Sequence, residues 1–163
     1  MKTLFTNKTN ILKRFPVFLT IVLFTLITVS FASAGMISVK GDNINLRRGP
    51  GTKYLILWEY GNGYPLKIIK KKGNWIKVRD FEKDSGWIHK SLLNYSPHVI
   101  VKVNRNNNSK INIRKGPATS RQIVGKAQYG VVFKTIKRKS GWINVEHESG
   151  LSGWIKENLL WGY

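Results

Sequence analysis

The chain has 163 residues, 28 Lys and Arg against 8 Asp and Glu, no Cys, and a formal charge of +20. That length allows one ordinary domain or two small ones, and an apolar content of 42% excludes a wholly disordered basic tail. The absence of Cys excludes disulfides, a thiol nucleophile and Cys-type metal sites, and three scattered histidines, His89, His98 and His147, form no triad or metal constellation.

The N-terminus has the pattern of an export signal. Lys2, Lys8, Lys13 and Arg14 form a positive region, Phe15 to Phe31 is uncharged and apolar, and Ala32-Ser33-Ala34 supplies the small residues a signal peptidase reads. Cleavage after Ala34 is expected, with an uncleaved membrane anchor as the alternative; the membrane is met only through this segment, and only if it is uncleaved. The expected location is the periplasm or the outside of the cell. Without residues 1–34, 24 Lys and Arg remain against 8 acids, +16, of which +7 falls on residues 35–96 and +9 on 97–163. Outside the cytoplasm such a charge points to phosphate- or carboxylate-bearing envelope components before nucleic acid.

The remainder is a duplication. Shifted by 67 positions, Ile44–Leu93 lies on Ile111–Leu160 without a gap, with 21 of 50 pairs identical. Asn45-Leu46-Arg47-Arg48-Gly49-Pro50 falls on Asn112-Ile113-Arg114-Lys115-Gly116-Pro117. Trp75-Ile76 and Val78 fall on Trp142-Ile143 and Val145, and Ser85-Gly86-Trp87-Ile88 on Ser152-Gly153-Trp154-Ile155. The expected division is residues 1–34 as signal, 35–94 as the first domain, 95–110 as linker with the first strand and loop of the second repeat, and 99–163 as the second domain. Val99–Val103, Leu66–Ile69, Phe133–Ile136, Trp75–Arg79 and Trp142–Glu146 are β-prone. Asn104–Lys110 holds four Asn and no apolar residue, so it is a loop. No mature window sustains a helical apolar period.

In that order, N-[LI]-R-x-G-P, a β-rich strand, W-I-x-V and G-W-I…L-L resemble the bacterial SH3-like (SH3b) domain over nearly all of residues 35–163. Trp58, with Tyr64-Pro65 and Trp75…Val78-Arg79-Asp80, looks like the subgroup found mainly in alphaproteobacteria. The resemblance implies an all-β fold: two tandem small SH3-like antiparallel β-barrels, here after an N-terminal hydrophobic signal helix. It also implies an exported, non-catalytic binding protein of the cell envelope whose partner is cell-wall peptide or glycan, peptidoglycan or another anionic wall component.

Several residues are candidates for binding. Arg47 and Arg114 could hold a ligand carboxylate bidentately, or tie down the carbonyls of the adjacent loop. Trp75 and Trp142 begin a strand beside a turn and divide between core and groove. Trp87 and Trp154 are expected in the core, because exposing them would forfeit much of a small domain's driving force. Trp58 and Tyr60 face Gly125 and Ala127 in the second repeat, so the fold does not require aromatics there; they suit a binding surface or packing against the other repeat. Lys70-Lys71-Lys72 and Lys137-Arg138-Lys139 occupy the same hairpin of each repeat and are candidate polyanion contacts, or solvated turns. Asp80, Glu82 and Asp84 fall on His147, Ser149 and Leu151, so no acid pair persists; no enzyme activity, cofactor or metal is expected. The rival readings are an envelope protein-interaction scaffold and, last, nucleic-acid binding. Proline-rich peptide recognition is disfavoured, since the acidic, Tyr-rich first loop is missing.

Overall fold

A computed structural model of the chain describes residues 35–163. The export segment expected over residues 1–34 lies outside the described residues. The first repeat consists of β1 (Met36–Val39), β2 (Ile44–Arg47), β3 (Ile56–Tyr60), β4 (Pro65–Lys72), β5 (Trp75–Arg79), β6 (Ser85–His89) and β7 (Leu93–Asn94). The second repeats it with β8 (His98–Val101), β9 (Ile111–Arg114), β10 (Ile123–Ala127), β11 (Val132–Lys139), β12 (Trp142–Glu146), β13 (Ser152–Lys156) and β14 (Leu160–Gly162). The segment between β8 and β9 is strand-free.

Each repeat forms one antiparallel sheet, in the order β3-β2-β6-β5-β4-β1-β7 and β10-β9-β13-β12-β11-β8-β14. This corrects the expected fold class in one respect, barrel closure. The sheets are open rather than closed barrels, because β3 does not pair with β7 nor β10 with β14. The reason is local: β7 is two residues long and is occupied in pairing with β1. There is no α-helix among the described residues; the helical pieces are two 3₁₀ turns, Lys90–Leu92 and Glu157–Leu159.

The alternation of a strand, successive side chains on opposite faces, builds each core. In repeat one, Leu46, Leu66, Val78 and Ile88 are fully buried on the inner face; their counterparts Ile113, Phe133, Val145 and Ile155 do the same in repeat two. Burying each such side chain contributes roughly 2 kcal/mol. The glycine before the last Trp lets the sheet fold over. A Cβ on Gly86 would stand 2.7 Å from the Arg47 carbonyl oxygen and 2.6 Å from Leu46, and one on Gly153 2.8 Å from that of Arg114. Only the missing side chain lets β6 lie against β2, where Arg47 pairs with Trp87.

The two longest strands carry a bulge at the same place. In β4 the register slips between Ile68 and Lys70, and in β11 between Thr135 and Lys137. One extra residue resets the alternation. Lys67, Lys70 and Lys72, opposite Arg79, Lys77 and Trp75, are thereby all turned to the outer face.

The described residues belong to a single compact unit, in which the repeats dock through aromatics that have no aromatic counterpart in the other repeat. Phe81 lies 6.2 Å from Tyr64, 5.4 Å from Tyr129 and 6.3 Å from Trp161, ring centre to ring centre. Glu82 accepts from the Tyr129 hydroxyl and pairs with Arg105 at 3.1 Å, and the Tyr163 hydroxyl donates to the Met36 carbonyl. Burial and the bond to Glu82 push the Tyr129 hydroxyl up to about 12.

His98 sits at this junction, its ring against Gly63, whose φ of +76° and close approach both exclude a side chain. Its Nδ1–H donates to the Ser96 carbonyl at 3.0 Å. Burial, reinforced by Lys134, holds the imidazole below its ordinary 6.5. The unfolded chain therefore takes up this proton first as pH falls. Stability is expected to be complete above pH 6.5 and to decline as pH drops toward the folded-state value. Denaturant midpoints measured from pH 7.5 to 5 check this, and His98→Asn should flatten the profile.

Candidate functional site

Strand β2 sets Asn45 and Arg47 on the outer face, and β5 and β6 bring Trp75 and His89 beside them. Together with Asn43, Ile44, Thr52, Ser91 and Leu92 they line a groove of about 300 Å³. Arg47 is anchored: Nη1 donates to the carbonyls of Thr52 at 2.9 Å and Tyr54 at 3.0 Å. Arg114 likewise donates to Arg121 at 2.8 Å. Both arginines thus tie down the loop that follows, the structural one of the two roles the sequence allows. Among the described residues, anchoring leaves the Arg47 Nε and Nη2 without a protein acceptor, on a side chain held in place. Trp75 meets His89 edge to face at 5.5 Å. The His89 Nδ1 faces the Ser91 hydroxyl at 2.8 Å and accepts from the Ser91 N–H at 3.4 Å, which in the neutral ring leaves Nε2 as donor.

The second repeat does not reproduce this groove. Trp142 is only 8% exposed and lies under Lys156, whose Nζ stands 5.8 Å from its ring centre. It lines a shallow depression with Ser140, Gly141, Lys156, Glu157 and Asn158 that does not include Arg114. Trp154 is also 8% exposed and is covered by Lys137 at 5.6 Å. Trp87 is half-buried. Trp154 is buried, as expected, although it stands outside the inner-face cluster; Trp87 is not buried, which corrects the expectation for it. Gly86 and Ile88 take the inner positions of β6, so alternation sends Trp87 outward.

Trp58 and Tyr60 do not act together. Tyr60 is 6% exposed, stacks on Tyr64 at 4.4 Å and donates to Asp80 Oδ2 at 2.9 Å. Asp80 Oδ1 accepts from the Asp84 N–H at 2.8 Å. Burial, then the Asp80 charge, pushes the Tyr60 hydroxyl well above its usual range; burial also raises the Asp80 carboxyl, against the pull of its hydrogen bonds. Tyr60 is thus part of the core, where Ala127 and His147 stand in repeat two. Trp58, by contrast, is 55% exposed on the edge strand β3, in line with exposed Leu55 and Ile56. Lys70, Lys71 and Lys72 are exposed, as are Lys137, Arg138 and Lys139, but Arg138 is paired with Glu157.

A cavity of about 560 Å³ opens between the repeats and holds none of these candidates. Its charged lining is mixed, with Asp42, Glu146 and Glu148 beside Lys134, His98 and His147. Among the described residues no group of three His, Asp or Glu side chains is placed to hold a metal ion.

Residues 40–94 and 107–162 each match the family model of the bacterial SH3 domain. The chain belongs to that family, as two tandem copies. SH3 domains are non-catalytic binding modules; the chain has no Cys, and the described residues hold no metal-ligating cluster. The Bacillus subtilis (strain 168) protein named "Putative N-acetylmuramoyl-L-alanine amidase YrvJ" is 26% identical over 135 residues, 79% of this chain. The match spans about a quarter, 26%, of that relative's length. Among solved structures, an NlpC/P60 family protein from Bacillus cereus is 13% identical over 79% of this chain and 56% of its own, with a TM-score of 0.37. NlpC2 from Trichomonas vaginalis is 17% identical over 81% of this chain and 49% of its own, at 0.34. The endolysin LysPBC5 CBD is 18% identical over 79% of this chain and 93% of its own, at 0.33.

Proposed function

We propose that the protein is an exported, non-catalytic binding protein of the bacterial envelope that holds peptidoglycan or another anionic wall component on its first repeat. The observation that carries this is the repeat-one groove, which gathers an anchored Arg47, a half-buried Trp75 and the His89 ring, while repeat two covers its equivalent Trp with its own lysine. An acidic wall peptide would present its carboxylate to Arg47 and lay its peptide plane or adjoining sugar on Trp75. Two observations support the reading: the Bacillus subtilis relative is named as an N-acetylmuramoyl-L-alanine amidase, and the apolar segment after a basic start suits export. The Trp58 pattern fits the alphaproteobacterial-type subgroup. A pull-down with purified wall sacculi at physiological salt tests it. Retention above that of a neutral control protein is expected, and retention no better than the control would end the proposal.

The exposed run Leu55, Ile56 and Trp58 on an unpaired strand edge favours a second reading, a docking edge for another envelope protein. Under it, Trp58→Ala abolishes capture of that protein and leaves sacculus retention unchanged.

A further inference from the structure

We propose that the outer face of the first sheet is a binding face for a linear anionic glycan, a chain of sugar rings bearing carboxylate or phosphate groups; this deepens the wall-binding reading and rests on it. Strand pairing lays the face out in rows. Arg47, Trp87, Lys77 and Lys70 are successive cross-strand partners. One row on, Ser85, Arg79 and Lys67 follow one another, and on the other side His89, Trp75 and Lys72. Rows stand roughly 7 Å apart along the strands. Six cations and two indoles therefore share one surface, and no carboxylate occurs in any of the three rows.

Two of these pairs are like charges set directly opposite, Lys70 with Lys77 and Lys67 with Arg79, an arrangement that destabilises a sheet unless an anion is supplied. None of the four is in an ion pair among the described residues. Repeat two, built on the same register, resolves both conflicts internally. Lys134 faces Glu146, and Lys137 faces Asn144 and lies over Trp154. Its Trp142 is covered by Lys156. In repeat one, no cation among the described residues covers Trp75 or Trp87, and both are half-buried. The same fold thus leaves one copy self-satisfied and the other with unneutralised charge and uncovered aromatic surface, although repeat two carries the higher total charge.

Half-buried indoles on a sheet face offer a flat surface that can stack on a sugar ring or a base; the wall-binding reading is what selects the glycan. The cation rows to either side then meet the anionic groups.

The test measures equilibrium binding of the full chain at physiological salt. The probes are polygalacturonate and a phosphate-bearing mannan, with neutral dextran, inorganic polyphosphate and a single-stranded DNA oligonucleotide as comparators. Binding to at least one anionic glycan, tighter than to any comparator, is expected; which of the two is bound identifies the anionic group. The double variant K77N/R79E carries the residues repeat two has at these positions, so its melting temperature should hold or rise while glycan affinity falls about tenfold or more. Unchanged affinity in that variant would overturn the proposal, as would polyphosphate or DNA binding as tightly as the glycans. If the wild type is retained on sacculi but binds neither glycan, this inference falls and the wall reading stands; glycan binding without sacculus retention reverses that outcome.

Discussion

Gly86→Ala is expected to destabilise the first repeat by about 2–3 kcal/mol, a large share of what a domain of this size has in reserve. The new Cβ would meet Leu46 at 2.6 Å and the Arg47 carbonyl oxygen at 2.7 Å. The second contact is backbone, which cannot rotate away. Relief requires β2 and β6 to separate, and a single register pair, Arg47 with Trp87, joins them. The separation would also disturb the groove, since Arg47 and Trp75 stand on either side of that junction. Gly61→Ala serves as control, because its nearest neighbour would be an Asp42 oxygen at an ordinary 3.6 Å; a change within about 0.5 kcal/mol is expected there. Urea midpoints of the two variants decide the matter. Equal midpoints would show that close approach of β6 to β2 is not what requires the glycine.

Phe81→Ala should uncouple the repeats. Phe81 reaches Tyr64 in its own repeat and Tyr129 and Trp161 in the other, and each aromatic pair contributes about 0.5–1.5 kcal/mol beyond its buried area. Removing the ring takes away all three contacts and leaves Glu82, with Tyr129 and Arg105, as the polar remnant of this cluster. The expected loss is about 2–3 kcal/mol, seen as replacement of one unfolding transition by two when followed by tryptophan fluorescence. A single transition at the wild-type midpoint would mean that the docking rests elsewhere.

The duplication made the sheet-forming segments legible. Strand periodicity around Ile76 and Val78, and its echo at Ile143 and Val145, names the inner face of β5 and β12 with no structure needed. Closure could not be read in this way. Whether the sheet ends meet depends on pairing between distant strands, and the short β7 and β14 leave that edge to β1 and β8. An aromatic without an aromatic counterpart in the other repeat need not mark anything beyond the fold, as Tyr60 shows. Tyr60 is buried because Asp80 offers its hydroxyl a partner 20 residues away, a contact that strand alternation does not encode. Phe81, Tyr64, Tyr129 and Trp161 also lack an aromatic counterpart, facing Glu148, Val131, Asn62 and Asn94, and these do meet at the interface. The outward turn of Trp87 was legible from alternation with Ile88, but the energetic argument for burying a Trp overrode it. The like-charge pairs were hidden by the bulge at Ile69: without it Lys70 would face inward, and the register that sets it against Lys77 is a property of the folded hairpin.

The central claim is that wall binding resides in repeat one. Retention on purified sacculi at physiological salt, compared between Trp75→Ala and Trp142→Phe after both are confirmed folded by circular dichroism, tests it most directly. Trp75→Ala is expected to lose retention by about tenfold or more, because the groove loses its aromatic wall, and Trp142→Phe to bind as the wild type does. Equal retention of the two variants, or loss confined to Trp142→Phe, would contradict it.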